Sequence, residues 1–427
     1  MNTRHRNIAG VLILADESAD WIVAGLHQLQ RLILALGEYS QSATALPVCT
    51  FPNSGRALPS IHLRETNLQL TDDIEHFFAE MQKSDGDILV LNTRLVVDRG
   101  GIQEIVDLAS ADEEVPALIL SSAEIKPSSE SFASLTNQIA ARSPASIDER
   151  YTYLDKIDKV EIAGSKLFSN TAKSQDGIVS RFVNRPISRA VSRFLVRLPL
   201  LPNQWTLIAM AIPIAGTLLL LRGDYFGFAV GAILFQLHSV LDGCDGEIAR
   251  AKYLESPSGQ RLDGLCDRFT TLLYAVALGF GLSRQNGLAD AMRWFYPLEG
   301  VMAALFIGVG ETLLTRDKID NELERETQDN LYPDYVKAHR GSFNEGDQLK
   351  LWMIKNSGML KLGQRATLFF GQATKRDVFN FGFMLLALCG LPSLILHILA
   401  IVACVILVLA VRNLSSAAVK TNQSGAS

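Results

Sequence analysis

Four aspartates set between two apolar runs constrain this chain more than any other feature. Residues 242–267 read D-G-C-D-G-E-I-A-R, then eight residues, then G-Q-R-L-D-G-L-C-D. On a helix, Asp242 and Asp245 share a face, three apart, and so do Asp263 and Asp267, four apart. An S-P-S-G helix break separates the pairs. Two antiparallel helices joined there would aim four carboxylates at one point.

Both flanks are hydrophobic: F-G-F-A-V-G-A-I-L-F-Q-L-H-S-V-L before the aspartates and F-T-T-L-L-Y-A-V-A-L-G-F-G-L after them. The carboxylates therefore belong to membrane-spanning helices, near one end. An ionised aspartate at a bilayer centre costs about 2.5–3.5 kcal/mol on insertion scales, so four of them must face a cavity and need counter-charge. Clustered carboxylate oxygens suit hard divalent cations such as Mg2+ or Mn2+. Four suffice for two ions about 3.5–4 Å apart, an arrangement that activates an attacking oxygen and neutralises a leaving phosphate. Ion pairing with Arg250, Arg261 and Arg268 is the alternative, but it leaves Gly246 and Ala249 unexplained. Those small residues would let a ligand approach the helix backbone.

This stretch resembles the signature of the CDP-alcohol phosphotransferases, D-x2-D-G-x2-A-R-x8-G-x3-D-x3-D, at every fixed position. The family moves a substituted phosphate from a CDP-alcohol to a second alcohol and releases CMP. The resemblance implies that Asp242, Asp245, Asp263 and Asp267 hold two Mg2+ or Mn2+ ions and that Asp267 is also the base for the acceptor hydroxyl. It implies a cytidine diphosphate site lined by Gly246, Ala249, Arg250 and Gly259. The P-N-x-x-T sequence at 202–206 is also similar to the family, which adds Asn203 to the nucleotide contacts. The wider stretch R-F-V-N-R-P-I-S-R … L-P-N-Q-W-T … L-D-G-C-D-G-E-I-A-R-A-K is most similar to the branch containing the di-myo-inositol phosphate phosphate synthases. That similarity covers about 175–412.

Residues 1–165 read as a soluble α/β domain. Short apolar runs at 11–14, 46–49, 88–91 and 117–120 look like buried strands, with helical patterns between them at 21–36 and 74–81. Such alternation predicts a mostly parallel sheet. The order of elements faintly resembles the sugar-nucleotide and cytidylyl transferases, but the chemistry differs. Where that family places a glycine- and arginine-rich phosphate loop, this chain has Asp16, Glu17 and Asp20, and where a metal-binding aspartate is expected it has Asn92, Thr93 and Arg94. The reading is a nucleotidyltransferase-like domain that is inactive, with an unrelated α/β assembly domain as the alternative. The stretch 128–158 carries no motif and reads as surface helix and loop.

From 176 to 200, Arg181, Arg185, Arg189, Arg193 and Arg197 recur every fourth residue, while Val183, Ile187, Ala190, Val191, Phe194, Leu195 and Leu198 occupy the other face. This predicts a basic amphipathic helix lying on the membrane surface, serving as lipid anchor, phosphate clamp or both. The membrane domain then covers 201–414, with six spans expected at about 204–221, 226–251, 260–282, 290–314, 377–390 and 393–411, and a flexible tail at 415–427. The fold class is thus an α-helical membrane protein with six transmembrane helices plus an N-terminal α/β domain.

The bias of Lys and Arg puts both termini, the N-terminal domain and the aspartates on the cytoplasmic side of the cell (inner) membrane. The formal net charge of -5 gives no sign of nucleic-acid binding. Five cysteines form no C-x-x-C pair and read as small buried hydrophobes, and the first apolar run is too short for a signal peptide. The expected partners are a CDP-alcohol donor, an acceptor alcohol and the bilayer, with a homodimer expected by analogy alone. Arg189, Arg193, Lys375 and Arg376 are the candidates for an acceptor phosphate, inositol phosphate being the best single guess. The long charged connection at 315–376 reads as a solvated helix followed by an interfacial one. A non-enzymatic divalent-cation transporter or sensor is the competing reading. It needs a path across the membrane that the uncharged outer halves of the spans do not offer. An enzyme that also makes its own CDP-alcohol is disfavoured by the acidic loop at 16–20.

Overall fold

The computed structural model describes residues 7–40, 46–51, 68–142 apart from 85, 99, 112, 122, 126 and 127, then 151–169, 177–285, 290–316 and 375–424. The solvated and interfacial helices expected at 315–376 lie outside the described residues, apart from its two ends. The chain divides into two compact units: Met1–Thr171 with Ser192–Pro199 and Glu247–Leu254, and Ala172–Val191 with Leu200–Gly246 and Glu255–Ser427.

The first unit is a three-layer α/β fold. Its main sheet has the order β5 (Leu68–Thr71), β4 (Leu46–Phe51), β1 (Ile8–Leu14), β6 (Asp87–Asn92), β8 (Ala117–Ser121). The first four strands are parallel, and β8 runs antiparallel to β6. All four apolar runs read from the sequence are strands here. Successive side chains of a strand face opposite ways, so Val11 and Ile13 pack under α1 (Gln28–Tyr39) and α3 (Gly101–Ser110), while Leu12 and Leu14 pack under α2 (Ile74–Met81) and α4 (Ser129–Ala141). The helical pattern at 21–36 begins later than its periodicity suggests. Residues 22–27 form a small hairpin, β2 (Ile22–Val23) and β3 (Leu26–His27), turning through Ala24 and Gly25, both at positive φ. A second two-stranded sheet pairs β7 (Leu95–Val97) with β9 (Tyr151–Tyr153), inside the stretch read as helix and loop. Helix α5 (Val160–Ser169) follows.

The second unit is helical. It contains α7 (Pro202–Ala209), α8 (Ala211–Leu220), α9 (Tyr225–Leu241), α11 (Pro257–Ser283), α12 (Asp290–Arg316), α13 (Arg376–Leu388) and α14 (Pro392–Ser424), and α10 (Gly243–Ala251) begins in it. Small residues let the helices approach closely. A side chain at Gly279 would meet the Tyr296 carbonyl at 2.5 Å, and one at Gly231 the Gly216 carbonyl at 3.0 Å. Phe228, Phe235, Tyr274, Leu278, Phe383 and Leu396 form the core, while Leu207, Leu218, Ile401 and Val408 point outward. Three stretches among the described residues are long and apolar enough to cross a membrane: Pro202–Leu220, Tyr225–Ala251 and Pro257–Ser283. Of the other expected spans, α12 carries Pro297 and several charges, α13 has 13 residues, and the apolar part of α14 is the shorter Pro392–Val408. Helix α14 continues to Ser424, through the segment read as a tail; no Pro or Gly interrupts it after Pro392.

The arginine-rich segment is helical over most of its length. A π-helical turn at Ser180–Asn184 leads into α6 (Arg185–Leu195). The buried arc is polar, with Asn184, Arg185, Ser188 and Ser192 inside, whereas Phe182, Ile187 and Phe194 are exposed together with Arg181, Arg193 and Arg197. The cause is hydrogen bonding. Gln236 donates to Asn184 at 3.0 Å, Asn184 donates to Ser239 at 3.5 Å, and Ser192 donates to the fully buried Glu247 at 2.7 Å. Buried polar groups satisfied in this way outcompete an apolar stripe for the interior.

Candidate functional site

The helix break between the two pairs of aspartates is built as their spacing demands. Ser256 caps α11, accepting from the Gly259 backbone N–H at 3.1 Å, and Pro257 occupies the first turn, where a missing N–H costs nothing. Asp242 sits at the α9–α10 junction with helical backbone, its N–H donating to the His238 carbonyl. One oxygen from each of Asp242, Asp263 and Asp267 lies within 4.8 Å of the others, and all three residues are half-buried. Oxygens bound to one Mg2+ at about 2.1 Å are at most about 4.2 Å apart, so the trio needs only small side-chain adjustments to fit such an ion.

Asp245 stands apart from the trio. It is buried and accepts a hydrogen bond from the Thr206 hydroxyl, whose oxygen also lies 3.2 Å from the Pro202 carbonyl. Next to Thr206, the Trp205 indole N–H donates to the Leu241 carbonyl at 3.1 Å, fixing the helix immediately before Asp242. Thus the P-N-Q-W-T segment, read as a nucleotide contact through Asn203, also holds the aspartate helix through Trp205 and Thr206; the Thr of the P-N-x-x-T sequence was the available signal, and nothing marked Trp205.

Asn203 and Gly259, both expected at the nucleotide, are neighbours. A side chain on Gly259 would meet the Asn203 Oδ1 at 2.9 Å and the Ser256 Oγ at 3.1 Å. Gly246, Ala249 and Arg250 lie along α10, with Ala249 buried and Gly246 and Arg250 half-buried. The four acceptor candidates separate. The Arg376 guanidinium pairs with Asp267 and donates to the Thr270 hydroxyl at 2.8 Å. Lys375 is buried beside it in sequence. Arg189 is half-buried, and its Nε has no hydrogen-bond partner among the described residues. Arg193 is exposed.

In the first unit, Arg94 bridges to Asp16 at 2.6 Å and to Glu17 at 3.2 Å. Burial would raise the Asp16 pKa, but hydrogen bonds from Ser18 and Arg94 prevail and hold it below the usual carboxylate range.

Residues 199–328 match the family model described as CDP-alcohol phosphatidyltransferase. The chain is 36% identical over 131 residues to a bifunctional IPC transferase and DIPP synthase of Archaeoglobus fulgidus, covering 30% of this chain and 26% of that protein. It is 36% identical over 176 residues to one of Rubrobacter xylanophilus, covering 38% and 39%. It is 31% identical over 94 residues to a phosphatidylinositol phosphate synthase of Corynebacterium glutamicum, covering 22% and 42%. The matched stretch therefore spans less than half the length of each of these relatives. It includes both aspartate pairs and the Thr206 and Trp205 contacts to Asp245 and Leu241, so the stretch similar to the CDP-alcohol phosphatidyltransferase family is the one that holds the candidate site.

Proposed function

We propose that this protein is an integral-membrane transferase that moves a substituted phosphate from a CDP-alcohol to an acceptor alcohol and releases CMP. The observation that carries the reading is the convergence of Asp242, Asp263 and Asp267, with one oxygen of each within 4.8 Å of the others. Those three, and Asp245 held by Thr206, would hold the divalent ions, which when bound neutralise the donor's diphosphate. The cytidine diphosphate would lie against Asn203, Gly259, Gly246, Ala249 and Arg250. The acceptor hydroxyl oxygen attacks the β-phosphorus, which carries the alcohol. The bond from that phosphorus to the bridging oxygen breaks, CMP leaves with the electron pair, and the hydroxyl proton passes to an oxygen of Asp267. Arg376, paired with Asp267, would keep that carboxylate oriented.

A phosphorylated polyol of the inositol phosphate type is the acceptor that fits. Arg376 and Lys375 stand at the start of α13, Arg376 in contact with Asp267, and guanidinium groups hold phosphate bidentately. The names of the similar proteins refer to DIPP and phosphatidylinositol phosphate synthesis. The spans and their basic loops support six crossings with the aspartates on the cytoplasmic side. The N-terminal domain is read as a nucleotidyltransferase-like fold without that activity, because Arg94 is tied to Asp16 and Glu17.

The test is a mass-spectrometric screen of purified protein in lipid with Mg2+, CDP-linked donors and candidate alcohols. CMP together with a phosphodiester product, requiring both substrates and abolished by chelator, is the expected result. Absence of CMP with every donor and acceptor pair would overturn the proposal.

A further inference from the structure

Helix α10 ends in an unusual way. Its last carbonyls are closed by the Tyr253 N–H donating to Arg250 at 3.4 Å and the Leu254 N–H donating to Ala249 at 2.8 Å. This is the Schellman pattern, in which the residue after the C-cap takes the left-handed conformation and is usually glycine. Here it is Tyr253, at φ 57°, a conformation that a bulky residue rarely adopts. Such an outlier persists only where surrounding contacts hold it.

The contacts come from the N-terminal domain, into whose compact unit residues 247–254 fall. The Arg31 guanidinium lies over the Tyr253 ring, 5.8 Å from its centroid, and the Tyr253 hydroxyl reaches the Val97 carbonyl at 3.4 Å. Arg31 is 1% exposed and donates to the Val23 carbonyl at 2.7 Å. Burial lowers its pKa, yet an arginine stays charged throughout the working range, so the ring receives a fixed, desolvated cation. Nearby, the β2–β3 turn packs on the same segment: a side chain on Gly25 would meet the Lys252 Cε at 2.8 Å, and Ala251 is buried with Phe168 and Val196.

We infer that Tyr253, gripped by Arg31 and Val97, is a positioning residue for the Ala249–Arg250 turn, and that the N-terminal domain serves the transferase as the anchor of this turn. The inference rests on the reading of Ala249 and Arg250 as part of the cytidine diphosphate site. The two hydrogen bonds that close the helix end on the carbonyls of those two residues, so whatever fixes Tyr253 fixes them. It gives a domain without nucleotidyl-transfer chemistry a reason to remain attached.

The experiment separates the ring from the cap. Tyr253→Gly keeps a backbone suited to the left-handed position, so the helix end still closes, but the grip is lost. Tyr253→Phe keeps the ring over Arg31. CDP binding to full-length protein in lipid, and KM for donor and acceptor, are measured for both. The expected result is CDP affinity weakened and donor KM raised at least about tenfold in Tyr253→Gly, with acceptor KM and thermal midpoint close to wild type; displacements near 1 Å at a substrate contact can cost about 10²-fold. Tyr253→Phe should restore donor KM to within about threefold. Should Tyr253→Gly fail to accumulate, Tyr253→Asn, which also tolerates positive φ, takes its place with the same expectation. Wild-type CDP affinity and donor KM in the ring-deleted variant would overturn the inference and leave the transferase reading intact. Wild-type protein that neither binds CDP nor releases CMP would overturn both.

Discussion

Thr206 donates its hydroxyl hydrogen to the carboxylate of Asp245, so α7 sets the orientation of an aspartate on α10. Groups that orient carboxylate ligands typically matter by about 10–100-fold in metal affinity or activity. Thr206→Val, which keeps the shape and removes the donor, is expected to raise the Mg2+ concentration needed for half-maximal CMP release by about tenfold or more. Thr206→Ser should stay near wild type. A Mg2+ titration of both variants checks this, and an unchanged titration in Thr206→Val would show that Asp245 needs no such support.

Gly259 and Asn203 are expected to behave as one unit. An alanine Cβ at 259 would push the Asn203 amide from its place 2.9 Å away. Gly259→Ala and Asn203→Ala should therefore each raise donor KM by a similar factor, and the double variant by no more than either alone. Contacting residues deviate from additivity in this way. Factors that multiply in the double variant would mean the two act on separate parts of the donor.

Arg94 and Asp16 give the N-terminal domain a pH-dependent contact. The Asp16 pKa is lower folded than unfolded, so the contact contributes stability above the unfolded value of about 3.9, and that contribution is lost as pH falls through the lower folded value. Asp16→Asn should cost about 1 kcal/mol near pH 7, between the values for exposed and buried pairs, and less near pH 3. Hydrogen exchange of the first unit in the full-length protein, at both pH values, measures the difference. The same protein with CTP, Mg2+ and polyol phosphates should release no pyrophosphate above background.

The central strands were legible because each is a continuous apolar run too short for a helix and buried on both faces, as in Val11–Ile13 and Leu89–Leu91. The helix break between the aspartates was legible for a different reason: Ser256 and Pro257 mark a helix start. What escaped depends on tertiary partners. Strand β9 is three residues long and exists only because β7 pairs with it. A four-residue arginine spacing does not say which arc of α6 faces inward; that was decided by Gln236, Ser239 and Glu247. Thr206 and Trp205 looked like ordinary first-turn residues, since their acceptors lie 39 and 36 positions away. Tyr253 at a position suited to glycine could not be read at all without Arg31 over its ring.

The central claim, that the aspartates between 242 and 267 serve CMP release, is tested most directly by comparing Asp267→Asn with wild type in purified, lipid-embedded form with Mg2+, donor and acceptor. The substitution keeps size and removes the proton acceptor, and loss of a general base typically costs about 10²–10⁴-fold. The account predicts a variant that is folded and membrane-inserted, with CMP release down at least about 10²-fold. A variant retaining more than about a tenth of the wild-type rate would contradict it.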